Sequence, residues 1–171
     1  MPAAPTYEPL ATTTITAGTS VVSYQSLSSA YTDFVLVASN VTGSVAGTTL
    51  YLRFNGDTGS NYSWVEMYGN GTTAASARQT AQTVIPMSYF ITQGTLQTGQ
   101  IHTAHIMNYT DSATGKNVLC RENNATDPNY PGTGLIVGGW RSTAVINRID
   151  ILNNGYTFNG GTLTLYGIKA A

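Results

Sequence analysis

The chain has 171 residues, 42% of them hydrophobic, with a formal net charge of -1 and a mean hydropathy of -0.05; that suffices for one domain with its own core. Only 9% of the residues are charged, against about 25% in an ordinary soluble domain. Such a surface, hydrated by Thr, Ser, Asn, Gln and Gly, has little colloidal repulsion and tolerates close packing, which suits an assembling subunit better than a free enzyme. Seven basic and eight acidic residues with no basic stripe exclude a sequence-independent grip on phosphates, so no nucleic-acid partner is expected. The longest apolar run, Phe34-Val35-Leu36-Val37-Ala38, is far short of a membrane span. Met1-Pro2-Ala3-Ala4-Pro5 has neither the basic nor the apolar part of a signal peptide, which points to synthesis in a cytoplasm. One cysteine, Cys120, excludes an internal disulfide and reads as a reduced, partly buried thiol in a strand.

In chain order, residues 1–14 carry Pro2, Pro5 and Pro9 and little core-forming character, so they read as an extended N-terminal arm before a domain over 15–171. The arm orders against a partner or frays as a tail. Residues 19–24 read as a short strand and 26–32 as a connection with room for one helical turn. Residues 33–38 are apolar on both faces, as in a central covered strand. In 49–54, Leu50, Leu52 and Phe54 point one way and Tyr51 and Arg53 the other. Asn55-Gly56-Asp57-Thr58-Gly59 is a turn by composition, and 62–68 resumes as a strand. Residues 73–83 have some helical propensity but no apolar stripe, and read as a loop leading to a strand at 84–91. Strands follow at 100–109, 117–121, 135–140, 145–152 and 163–168. The polar stretch 123–134, with Pro128 and Pro131, reads as a surface loop of the kind that carries binding. About nine or ten strands without strand–helix alternation predict an all-β fold, an antiparallel two-sheet β-sandwich of jelly-roll type.

Chemistry-bearing patterns are sparse. His102 and His105 are three apart, so on a strand they face opposite sides and cannot share a metal ion. Five Asp and three Glu are scattered singly, and no serine sits in a nucleophile-elbow pattern. No catalytic residue, cofactor or metal site is therefore expected, and the chain reads as not an enzyme. Asn55, Asp57 and Asn61 form the most calcium-like piece, yet there is no closing Glu at the right spacing, and a turn bonding its own backbone explains them better. Asn-x-Ser/Thr triplets at Asn40, Asn61, Asn70, Asn108 and Asn124 follow from the composition. Eleven Tyr and two Trp could stack on sugars or fill a core and an interface. Trp64, Tyr130 and Trp140 are the candidate ligand surface.

Two stretches resemble small virion proteins of tailed bacteriophages. One is Leu52-Arg53-Phe54-Asn55-Gly56-Asp57-Thr58-Gly59-Ser60-Asn61-Tyr62, preceded by Ser23-Tyr24-Gln25-Ser26-Leu27 and Tyr31-Thr32-Asp33-Phe34-Val35-Leu36-Val37. The other is Ile149-Asp150-Ile151 followed by Gly161-Thr162-Leu163-Thr164-Leu165-Tyr166-Gly167-Ile168. The likeness brackets residues 7–169 and leaves the middle unmatched. It implies a β-sandwich on the phage particle, a capsid decoration (cement) or tail-associated protein, often a homotrimer. The expected partners are the major capsid protein and further copies of the chain, with contacts through Met1, Pro2, Pro5, Tyr7 and Pro9. The expected location is the virion. The alternative is a tail-fibre, receptor-binding or carbohydrate-binding β-sandwich module that meets a host-surface glycan.

Overall fold

A computed structural model describes residues 6–45, 49–69, 71–88, 99–124, 132–153 and 155–169. Among them are twelve strands and no helix. The strands are β1 (Tyr7–Thr14), β2 (Val21–Gln25), β3 (Asp33–Gly43), β4 (Leu50–Phe54), β5 (Tyr62–Gly69), β6 (Ala74–Gln82) and β7 (Ile85–Pro86). They continue with β8 (Ile101–Met107), β9 (Lys116–Asn124), β10 (Gly132–Trp140), β11 (Arg148–Asn153) and β12 (Phe158–Ile168). An eight-stranded sheet runs β1-β12-β3-β8-β9-β10-β5-β6 and a four-stranded sheet runs β2-β11-β4-β7, with antiparallel pairing throughout. The expected all-β antiparallel sandwich is what the chain forms.

Alternation builds the core. Phe34, Leu36 and Ala38 on β3, Ile106 on β8, Val118 on β9, Ile136 on β10 and Leu163 and Leu165 on β12 are fully buried. They face Leu50, Leu52, Phe54, Ile149 and Ile151 of the smaller sheet, also fully buried. The alternation predicted for 49–54 is observed, with Tyr51 and Arg53 pointing away. On β3 the other face, Asp33, Val35 and Val37, is only half-buried, so this central strand is covered on one side rather than both.

Four expectations are corrected. The arm over residues 1–14 is replaced from Tyr7 onward by edge strand β1, paired with β12 from Tyr7↔Ile168 to Thr14↔Thr162. Pro9 fits there because an edge strand can omit one N–H, and the register shifts between Pro9 and Ala11. Met1, Pro2 and Pro5 lie outside the described residues. The supposed loop at 73–83 is β6, a strand of weak β-formers that pairing with β5 holds in place, overriding propensity. The supposed loop at 123–134 is shortened, because β9 reaches Asn124 and β10 begins at Gly132; its middle, 125–131, is outside the described residues. The connection at 26–32 contains turns rather than a helical turn.

Candidate functional site

The Asn-Gly-Asp motif ends β4 in a tight turn. Asn55 and Gly56 both have positive φ (52° and 68°), and the Asp57 N–H donates to the Phe54 carbonyl at 2.9 Å; this is the primed turn that Asn-Gly favours. The Asp57 carboxylate accepts from the Gly59 N–H at 2.8 Å, the Asn61 amide at 2.9 Å and the Trp140 indole at 2.7 Å. Those hydrogen bonds, Trp140 and Asn61 foremost, hold its pKa below the usual carboxylate value. Asn55 receives the N–H groups of Asn147 and Arg148 at 3.0 and 3.1 Å and donates to the Val145 carbonyl at 2.8 Å. The most calcium-like piece of the sequence is thus a clamp joining the β4–β5 turn to Trp140 at the end of β10 and to the segment leading into β11.

Trp140 belongs to the core. It is 3% exposed and packs on Phe54 and Tyr62, at centroid distances of 5.7 and 6.1 Å. It is therefore removed from the expected ligand surface, and Tyr130 lies outside the described residues. Trp64 is buried as well, at 5% exposure, but its remaining surface borders a cleft of about 430 Å³ at the edge of the sandwich, together with Tyr51, Arg53, Gln79, Gln82 and Asn153. The cleft exists because eight strands face only four. The small sheet ends in the two-residue β7; the inward residues Tyr62, Trp64 and Glu66 of β5 are buried, whereas β6 beyond them is largely exposed.

His102 and His105 do face opposite sides of β8. His105, half-exposed, bonds Asp33 at 2.8 Å, while His102 is fully buried. His102 is one of a group of buried polar residues that the sequence did not announce. The register sets it opposite Glu122, which is opposite Gly134; Glu66 stands one inward position further along, opposite Ile136. Glu66, Gln100, His102 and Glu122 are 0–2% exposed. A side chain at Gly134 would meet the Glu122 carboxylate at 2.5 Å, so the glycine makes the space that the carboxylate fills. Among the described residues neither ring nitrogen of His102 and neither side-chain polar atom of Gln100 has a hydrogen-bond partner. Burial lowers the His102 pKa from 6.5 to about 4. Cys120, on the same inner face, is fully buried, and burial followed by the Glu122 charge pushes its thiol pKa up. Only register could have revealed this group, since single Glu and His residues on different strands carry no local signal.

The outer face of the same strands is apolar. Leu135 is opposite Met67 and Val137 is opposite Val65, and these four are 39–56% exposed. Half-buried Leu119 extends the row from Val137. Arg121 pairs with Leu135 and Arg78 with Val65, framing the patch with positive charge. A groove of about 700 Å³, bordered by Met67, Ala75 and Leu135, continues it toward the edge. Among the described residues no group of three or more His, Cys, Asp or Glu could hold a metal ion.

No family model and no curated protein matches the chain. Scytalido-glutamic peptidase, solved with a peptide-based transition-state analogue, is similar at 12% identity and a TM-score of 0.33, covering 85% of this chain and 73% of its own. The Eiger TNF of S. frugiperda is similar at 9% identity and a TM-score of 0.17, covering 96% of both chains. The expectation that the chain is not an enzyme is corrected by the first of these, since a solved structure it is similar to is a peptidase. The premise behind that expectation, carboxylates scattered without partners, also fails, because the sheet sets Glu66 and Glu122 on one inner face. Scores this low transfer neither an activity nor details of fold.

Proposed function

We propose that the chain is a structural subunit of a tailed-phage particle, a decoration protein that docks on the head lattice through the outer face of its eight-stranded sheet. The observation that carries this reading is the contiguous exposed patch of Val65, Met67, Leu135 and Val137. Contiguous apolar area on a chain with 9% charged residues marks an association surface. The resemblance of the Asn-Gly-Asp stretch and of the C-terminal segment to phage virion proteins supports the same reading. Burying the half-exposed remainder of each of the four side chains contributes about 1 kcal/mol. Many copies on a repeating lattice then act together, clamping neighbouring capsid subunits. Protomers meet along β6, which ends the sheet order among the described residues and whose first six residues pair regularly with β5. The blunted opposite edge at Pro9 leaves β6 as the better pairing edge, and the expected assembly is a homotrimer.

The test is the copy number of this chain per purified particle, by quantitative mass spectrometry against the major capsid protein. A number comparable to the capsid protein is expected. A few copies per particle would move the chain to the tail or a vertex and put the receptor-binding alternative first. In a second arm, Met67→Lys with Val137→Lys abolishes addition to undecorated heads while the thermal unfolding midpoint stays unchanged. Full retention of head binding in that variant overturns the docking face.

A further inference from the structure

We propose that the cleft beside Trp64 binds a neutral oligosaccharide. The inference stands apart from the docking face, since the cleft opens between the sheets while the apolar patch covers the outer side of β5 and β10. Its volume of about 430 Å³ falls within the roughly 300–1,000 Å³ of small-ligand sites.

Its chemistry suits sugar hydroxyls. Gln79 and Gln82 on β6 and Asn153 on β11 bring three primary amides to one cleft, each with a donor and an acceptor. Vicinal hydroxyls are donors and acceptors at fixed spacing, and an amide can meet two of them at once. Asn153 is 3% exposed; its amide nitrogen donates to the Thr157 carbonyl at 2.8 Å, while its Oδ1 is buried with no hydrogen-bond partner among the described residues. A buried acceptor without a donor costs about 1–3 kcal/mol, and a ligand hydroxyl in the cleft supplies one. Half-buried Tyr51 offers aromatic surface for the apolar C–H face of a sugar ring, while Trp64, 5% exposed, forms the floor beneath it.

Arg53 is the single residue charged at neutral pH among those bordering the cleft. Its Nε faces the Thr83 carbonyl at 3.5 Å, and its charge also acts on Asp57. The guanidinium is therefore already engaged by this chain's own acceptors, and the remaining lining is uncharged. That composition favours neutral sugars over uronic or sialic acids.

The experiment is a glycan array probed with the full-length protein, followed by titration of the strongest neutral glycan monitored through tryptophan emission. Trp64 reports the cleft, and Trp140, held on Asp57 in the core, supplies a constant background. Saturable binding is expected, weakened at least tenfold by Gln79→Ala and by Gln82→Ala. Both residues lie outside the core, and unchanged thermal unfolding certifies the folded state. Trp64→Phe serves as a conservative third variant and lowers the emission change. Three results overturn the inference: no saturable binding to any neutral glycan, equal affinity in wild type and both cleft variants, or salt-sensitive binding to acidic glycans alone. None of them bears on the copy number per particle, so the cleft and the virion role fail separately.

Discussion

The two faces of the β8-β9-β10-β5 part of the large sheet differ in an unusual way, because buried polar groups interrupt an otherwise apolar inner face while apolar side chains stand outside. The inner face carries Glu66, His102 and Glu122, each at most 2% exposed, whereas the outer face carries Val65, Met67, Leu135 and Val137, each 39–56% exposed. Strand alternation fixes which residues share a face but not which face is covered. Covering is decided by where the four-stranded sheet lies, and it lies over the face with the carboxylates. The comparison teaches that polar residues on this sheet are not a guide to its wet side. Apolar residues left outside are candidates for burial against a partner, and polar residues inside are constrained by the fold.

The comparison can be broken most forcefully at His102. Its pKa is about 4 when folded against 6.5 for the ordinary group, through burial. Between those values the unfolded chain takes up a proton that the folded chain refuses. Stability attributable to this group is therefore full above pH 6.5 and falls by about 3 kcal/mol as the pH drops to about 4. Urea titrations at pH 7 and pH 4 should record that loss, and His102→Leu should flatten the slope in this window. Asp57 and Asp111, whose folded pKa values lie below 3.8, contribute losses only at still lower pH. An unchanged pH profile in His102→Leu would show that the inner face tolerates charge.

Next in size is a pair of neighbouring glycines on β10. A Cβ at Gly138 would lie 2.5 Å from the Ile85 side chain, whereas at Gly139 the nearest atom is the Ser63 hydroxyl at 3.7 Å. Gly138→Ala should cost about 1–3 kcal/mol by overpacking, and Gly139→Ala should stay within about 0.5 kcal/mol. Calorimetric midpoints of the two variants read the two faces directly, and equal values would deny the difference between them.

Asp57→Ala sharpens the comparison from the clamp that holds the sheets in place. It leaves the buried Trp140 indole N–H without its acceptor, so a loss of about 1–3 kcal/mol is expected in chemical denaturation. The smallest effect is expected outside. Val65→Thr and Met67→Thr should change the stability of the isolated chain by no more than about 0.5 kcal/mol, while weakening head binding. A larger stability loss would mean that these side chains already support the fold without a partner.

The fold class was legible from local pattern because Leu50, Leu52 and Phe54 alternate with Tyr51 and Arg53, and Asn55-Gly56 names its own turn. β6 was not legible, since Ala74–Gln82 is held as a strand by β5 and not by its own residues. The arm was misread because Pro2, Pro5 and Pro9 signal a lack of regular structure, whereas an edge strand accommodates Pro9 at the cost of one hydrogen bond. Of the candidate ligand residues, Trp64 and Trp140 both reached the core, at 5% and 3% exposure, and Trp64 also borders the cleft. Aromatic composition alone could not tell core from ligand surface.

By itself, then, the sequence determined strand content, turn positions, the opposite facing of His102 and His105 and the uncharged character of the surface, all of which depend on neighbours along the chain. Tertiary structure alone decided which face is covered, where Glu66, His102 and Glu122 gather, and that an eight-stranded sheet outreaches its partner to leave a cleft beside Trp64. Those outcomes depend on register and layer size, and both arise from contacts between residues far apart in sequence.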